Sequence, residues 1–178
     1  MVNKPNHFNA VNHKVIIKMK LSIFFSFLFF TSVVFVKANT TGQGFDKADF
    51  YAALASDKLE DINAQLIVVK GSSIIEKEAY EGVLLMKKSG LVSSAKEKLS
   101  LFKAGRTKLE ASISKDNGNA EYRFLRLIIQ EHAPKIVKYR NELEQDSQLI
   151  RTNLKNLPQF LQQVINDYSK KSKALKIP

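Results

Sequence analysis

The chain has 178 residues, of which 25% are charged, with a formal net charge of +11 and no cysteine. Without cysteine it can form neither a disulfide nor a thiolate metal site, and a bacterial lipoprotein anchor, which is built on a cysteine, is excluded. Much of the basic surplus lies in the first 38 residues and the remainder is mild and scattered, so nucleic-acid binding is not expected.

A hydrophobic stretch near the start, residues 21–36, is the first predicted element. It carries no charge and no proline. A helix needs about 20 apolar residues to cross a membrane, whereas a signal peptide uses a shorter stretch that follows basic residues. Val36 and Ala38 place small residues where a signal peptidase cuts. Residues 1–38 are therefore predicted to be a signal peptide, and the protein is predicted to be exported, either to the periplasm or out of the cell.

Two features of this segment leave alternatives open. Met19 and Lys20 give the signal a conventional basic beginning, so Met19 is expected to be the true start, the alternative being a long N-terminal region from Met1. The hydrophobic stretch could also stay uncut as an anchor, and only then would the protein contact a membrane. Cleavage after Ala38 would remove five lysines and no acid, which lowers the net charge to +6.

The rest of the chain has a sequence pattern typical of helices. Residues 39–44 are small and polar and are predicted to form a disordered leader, followed by a single helical domain over residues 45–178. Proline is rare, and no alternation of apolar and polar residues is long enough to indicate a strand. We therefore predict an all-α fold, arranged as a short-linked antiparallel helical bundle or as an array of helical hairpins.

Apolar residues at spacings of three and four predict seven helices. The first helix covers residues 46–55 and the fourth covers residues 93–114. The second follows Ser56 and ends at Gly71, and the third follows Ser73 and ends at Gly90. Ser56 is expected to cap the second helix, and Ser73 to form a capping box with Glu76. Gly90 is expected to adopt the left-handed conformation. Gly105, inside the fourth helix, is expected to mark a kink or a close contact between helices.

The last three helices follow a turn. The polar run 116–119 indicates a turn, and Asn119 is predicted to cap a fifth helix, Ala120–His132. Pro134 is expected to break the chain there. Residues 141–154 and 158–175 are predicted to form the sixth and seventh helices.

Part of this pattern resembles the tetratricopeptide repeat. The matching positions are the pair Ala79-Tyr80, the glycine Gly90, the alanine Ala95, the stretch 111–116 and the segment Asn119-Ala120-Glu121-Tyr122. Asn117 stands where the family has proline. The resemblance covers about a quarter of the chain and implies a helical scaffold that binds protein, without naming a ligand. The alternative is a set of generic helical hairpins.

No motif predicts a catalytic, cofactor-binding or metal-ligating residue. His132 follows Glu131, but neighbours on a helix point about 100° apart, so His132 is expected to be a half-buried structural histidine. The acidic clusters at 57–61 and 142–146 fit the first turns of helices. A hydrolase remains an alternative function, and it would need a pocket where His132 or two carboxylates meet.

One polar stripe is the candidate partner-binding site. Four residues share a helical face: Tyr122, Arg123, Arg126 and Gln130. Arginine can bind a carboxylate through two parallel hydrogen bonds, so the stripe suits an acidic partner. The alternative is a solvated face whose arginines pair with Glu121 and Glu131. The sequence therefore predicts a non-enzymatic scaffold without a cofactor, whose partner is another envelope or secreted protein.

Overall fold

A computed structural model of the protein describes residues 44–177, and all regular structure in that range is helical. The prediction of an all-α fold is confirmed. The predicted signal peptide, the start at Met19 and residues 39–43 of the predicted leader lie outside the described residues. The helices are α1 (Lys47–Ala55), α2 (Leu59–Gly71), α3 (Lys77–Leu91), α4 (Ala95–Lys115), α5 (Ala120–His132), α6 (Leu143–Asn153) and α7 (Gln159–Ser169), with short 3-10 turns at Lys135–Val137 and Leu154–Asn156.

Polar side chains begin three of these helices by accepting hydrogen bonds from amides of the first turn. Asp46 accepts from the amide of Ala48 at 2.6 Å at the start of α1. Ser94 begins α4 in the same way. Asn119 accepts from the amide of Tyr122 at 3.1 Å, which confirms its predicted role at α5. Such caps satisfy amides that have no partner within the helix.

The predicted beginnings of α2 and α3 are wrong in detail. Ser56 lies two residues before the cap position of α2, and its hydroxyl accepts from the amide of Lys58 and donates to Asp61. Ser73 and Glu76 form no capping box, because α3 begins only at Lys77 and its cap makes no side-chain bond.

Two predicted helix ends are also corrected. Gly90 does not adopt the left-handed conformation, because α3 continues through Leu91 and no glycine in the described part of the chain has a positive φ. The last helix ends at Ser169 rather than at residue 175. The backbone leaves the helix there because the amides of Lys173 and Ala174 donate to the carboxylate of Glu131.

Two glycines let α3 and α4 approach closely. A Cβ atom on Gly82 would lie 2.7 Å from the carbonyl oxygen of Gly105, and a Cβ atom on Gly105 would lie 2.9 Å from the amide nitrogen of Met86. Both distances are shorter than a carbon atom tolerates, so each position has room only for hydrogen. Of the two alternatives given for Gly105, the close helix contact is confirmed.

Helix α5 forms the centre of the core, since ten of its 13 residues are buried. Phe124 on this helix meets Tyr168 of α7 edge to face, with ring centroids 5.4 Å apart. On the α1 side, Phe50 stacks on Tyr80 of α3 with centroids 4.2 Å apart. Burial of these rings supplies much of the stabilisation of the fold. Within residues 44–177, no helix has both the length and the apolar character needed to cross a membrane.

Candidate functional site

The start of α5 carries a buried carboxylate, Glu121, whose side chain is fully engaged within the protein. It accepts hydrogen bonds from the hydroxyls of Tyr80 at 2.6 Å and Tyr51 at 3.0 Å, and from the Lys47 ammonium at 2.9 Å. Burial, followed by the charge of Glu121, raises the pKa of both tyrosines. These bonds tie α1 and α3 to α5 and occupy three of the four lone-pair positions of the buried Glu121 carboxylate.

The next turn of α5 carries the two arginines of the predicted stripe, and both bind Asp146 of α6. Arg126 makes two bonds of 2.7 Å to its two carboxylate oxygens, and Arg123 donates to one of them at 3.1 Å. Arg126 also donates to Glu110 of α4 at 2.9 Å. Burial lowers the pKa of Arg126, but the bonds to Asp146 and Glu110 outweigh it and raise the pKa. The arginines therefore fasten α6 and α4 to the central helix.

All four residues of the predicted partner-binding stripe are buried. The exposed fractions are 6% for Tyr122, 8% for Arg123, 4% for Arg126 and 0% for Gln130. The Gln130 amide nitrogen donates to Glu142, whereas its side-chain oxygen is buried and accepts no hydrogen bond within residues 44–177. The alternative of a solvated face is wrong, because the arginines pair with Asp146 and Glu110 rather than with Glu121 and Glu131.

The opposite end of α5 borders an open depression, which we call the apolar groove. It has a volume of about 520 Å³. Its walls come from the ends of α1, α3 and α5 and from the first half of α4, and include Leu54, Met86, Leu91, Phe102, Ile129 and Pro134. Its volume and its apolar lining are typical of binding sites.

The backbone of Gly90 also borders the apolar groove, since glycine has no side chain. Ala55 ends α1, Gly90 and Leu91 end α3, and all three residues border the groove. No hydrogen bond within residues 44–177 uses their carbonyl oxygens. The last carbonyls of a helix have no partner inside the helix and accept hydrogen bonds from water or from a ligand. The groove thus combines apolar walls with a free hydrogen-bond acceptor at Gly90.

A second depression, which we call the basic cavity, begins where the groove ends. It has a volume of about 440 Å³, and six of its lining residues are Glu131, His132, Arg140, Tyr168, Lys171 and Lys173. His132 lines both depressions, so they are neighbours on the surface.

Glu131 is the acidic residue of the basic cavity, and the C-terminal segment encloses its carboxylate. The hydroxyls of Tyr168 and Ser172 donate to one oxygen at 2.7 Å each, and the amides of Lys173 and Ala174 donate to the other. Partial burial raises the pKa of Glu131, but the four bonds outweigh it and lower the pKa. The charge of Glu131 is therefore stabilised within the chain and fixes the segment that follows α7.

His132 is exposed, so the prediction of a half-buried histidine is wrong. Its Nδ1 lies 2.9 Å from the carbonyl oxygen of Ile128, one turn earlier in α5. Ser172 in the same cavity donates to Glu131. In the described part of the chain no hydrogen bond joins His132 to a hydroxyl, so these side chains form no activated nucleophile in this arrangement.

Arg140 caps the C-terminal end of α5. Its guanidinium donates to the carbonyl oxygens of Gln130 at 3.0 Å and Glu131 at 2.6 Å, which are free acceptors at the helix C-terminus. Among residues 44–177, no group of three or more histidine, aspartate or glutamate side chains is placed to hold a metal ion.

Sequence reasoning missed the apolar groove because its walls come from helix ends that are far apart in the chain. Gly90 was the one local signal, and its pattern predicted a left-handed cap instead. An exposed glycine that continues a helix leaves room for another molecule, because no side chain covers the backbone there. Comparisons of the chain with protein-family models, with curated proteins and with solved structures found no match.

Proposed function

We propose that the protein is exported and acts as a non-enzymatic scaffold that binds another envelope or secreted protein in the apolar groove. The observation that carries the proposal is the groove itself, where apolar walls adjoin the backbone of Gly90, whose carbonyl accepts no hydrogen bond within residues 44–177. Residues 21–36 support the export part of the proposal, because their length and apolar character are typical of a signal peptide.

We further infer that the helices form packed antiparallel hairpins. Lys108 of α4 pairs with Glu78 of α3 at 2.6 Å, and Gly105 lies against Gly82. Residue numbers thus rise along α3 as they fall along α4, as in a hairpin. The tetratricopeptide-like positions fall on these two helices and on the start of α5. Hairpin arrays commonly bind peptides, which is the role proposed for the groove.

The export part is tested by the mass of the mature chain. We expect protein recovered from the periplasm or the medium to begin at Asn39. A full-length chain that retains residues 21–36 in the membrane fraction would contradict cleavage and favour the anchored form.

The groove is tested by filling it with a side chain. Gly90 is exposed, lies on the groove, and has nothing within 4 Å of the position that a Cβ would take. Gly90→Leu should therefore fold normally and occupy part of the groove. Gly71→Leu is a matched control, because Gly71 also ends a helix with open space around it but does not line the groove.

The three proteins are compared as baits in an envelope extract, with captured proteins quantified by mass spectrometry. We expect a partner that the original protein and Gly71→Leu retain equally, and that Gly90→Leu loses at least tenfold. Equal recovery on all three baits would show that the groove is not the binding surface.

A further inference from the structure

The apolar groove and the basic cavity together form a surface with two chemistries. His132 borders both, so a ligand that fills the groove and continues past His132 enters the cavity. One part of the surface offers apolar contact, and the other offers positive charge. A ligand that matches both parts has an apolar stretch beside an acidic one.

The positive charge of the cavity is available to a ligand. Lys171 and Lys173 are exposed, and their ammonium groups form no ion pair within residues 44–177. Glu131 keeps its negative charge but forms no ion pair with either lysine, and with Arg140 the cavity has three cationic side chains to this one carboxylate. Cations without partners at the edge of a site attract carboxylates and increase the rate of association.

The carbonyl group of Gly90 in the groove indicates a peptide rather than a lipid. The carbonyl of Gly90 accepts no hydrogen bond within residues 44–177, and a peptide backbone supplies an amide donor for it. An alkyl chain has no donor, so it would separate this carbonyl from water without compensation.

Charge around the groove argues against a second copy of this chain as the occupant. Four lysines lie next to groove residues in the chain, and none forms an ion pair within residues 44–177: Lys58, Lys88, Lys103 and Lys135. Two copies placed groove to groove would bring these like charges together. An acidic partner would instead be attracted to them.

We propose that the site binds a peptide segment of a partner protein in which a group of apolar residues adjoins aspartates or glutamates. The apolar side chains fill the groove, and the carboxylates meet Lys171, Lys173 and Arg140. This inference rests on the proposed function and specifies the chemistry of the partner.

Selection of random dodecapeptides displayed on phage tests the inference, with the exported protein as the target. We expect the enriched peptides to carry a group of apolar residues with aspartate or glutamate on one side of it. Their affinity should fall about tenfold in the variant Lys171→Gln with Lys173→Gln, because two charge pairs are lost. It should also fall as the salt concentration rises.

A control variant removes the same charge elsewhere. Lys115 and Lys155 are exposed and lie outside both depressions, so Lys115→Gln with Lys155→Gln should leave peptide affinity unchanged. If both double variants weaken binding equally, net charge rather than the cavity is responsible, and the inference is overturned.

The failure of this inference and the failure of the proposed function give different results. Enriched peptides without acidic residues, lost only in Gly90→Leu, would overturn the acidic partner and leave the groove as a protein-binding site. Peptides that bind Gly90→Leu as well as the original protein would overturn both. Vesicles of phosphatidylglycerol that bind through the groove, without any enriched peptide, would replace the peptide by a membrane and overturn both.

Discussion

The two ends of α5 use polar side chains in opposite ways. Near the start, Arg123 and Arg126 are 8% and 4% exposed and pair with Asp146, which is fully buried. Near the end, His132 is exposed beside the apolar groove. A charged stripe on one helix therefore cannot be assigned as a binding surface until the residues that pair with it on other helices are known.

Desolvation explains why we propose the open end, rather than the arginine stripe, as the binding surface. A buried charge that loses its partner costs about 3–5 kcal/mol, so an acidic ligand cannot take Asp146 away from its arginines cheaply. At the open end, a ligand displaces only water from the groove and meets lysines that are already exposed. The closed end of α5 holds the fold together, and the open end is free to recognise a partner.

Removal of the shared carboxylate should break the closed end and have the largest effect. Asp146→Ala leaves two buried guanidinium groups without their main partner, and we expect a loss of about 3–5 kcal/mol in the free energy of unfolding. Urea denaturation followed by circular dichroism measures it.

Glu144 is the matched control on the same helix. Its carboxylate is 84% exposed and lies 3.3 Å from Arg151, so Glu144→Ala should cost less than about 1 kcal/mol. Equal losses in the free energy of unfolding would show that the buried network contributes no more to stability than an exposed ion pair. The distinction between a structural end and an open end of α5 would then be wrong.

The close contact of α3 and α4 should give the next largest effect. Gly105→Ala places a methyl group against the backbone of Gly82, and we expect a loss of about 1–3 kcal/mol as the helices move apart. Gly71→Ala has open space and should instead gain about 0.4–1 kcal/mol. Thermal unfolding compares them, and a neutral Gly105→Ala would show that the helices separate without cost.

Local pattern was sufficient to predict the helices. Asn119 was identified from its spacing alone, because a cap bonds to an amide only a few residues away. Gly105 was recognised as exceptional because glycine inside a helix needs a reason, and the structure supplies it in Gly82. The number of helices followed from apolar spacing in the same way, since each helix shows its own period in the sequence.

Pairing between distant segments was not predictable. Asp146 lies 20 residues from Arg126, and in its own segment it looks like an acid in a first helical turn. Likewise, the end of α7 is decided by Glu131, which captures amides more than 40 residues later in the chain. Neither contact leaves a local periodicity, so the arginine stripe and the last helix were both misjudged.

The carboxylate of Glu131, at the open end of α5, should make the stability of the segment after α7 depend on pH. Its pKa in the folded protein lies below the unfolded value of about 4.3. Its contribution to stability is therefore complete above that value and is lost as the pH falls through the folded-state pKa. We expect the amides of Lys173 and Ala174 to exchange with deuterium more readily, relative to core amides, as the solution is acidified over this range.

Glu131→Gln should reproduce the acid form at neutral pH. Glutamine is neutral and keeps only one acceptor oxygen, so two of the four donors lose their acceptor and the other two bond to a neutral group, with a loss of about 1–2 kcal/mol. Exchange at residues 170–177 should rise while exchange in the core of α5 is unchanged. If acidification loosens this segment equally in Glu131→Gln and in the original protein, another group controls it.

The smallest effect on stability is expected at the open end, where an exposed side chain can affect binding without affecting the fold. Ile136 is 87% exposed and follows Pro134 of the groove by two residues, so Ile136→Ser should change the free energy of unfolding by less than about 0.5 kcal/mol. Ile75 is 95% exposed and precedes α3, about 20 Å from the groove at the other end of that helix. If the open end recognises a partner, Ile136→Ser weakens binding of the selected peptides about threefold and Ile75→Ser does not. Equal affinities would confine the partner to the groove itself and exclude the adjoining 3-10 turn from the binding surface.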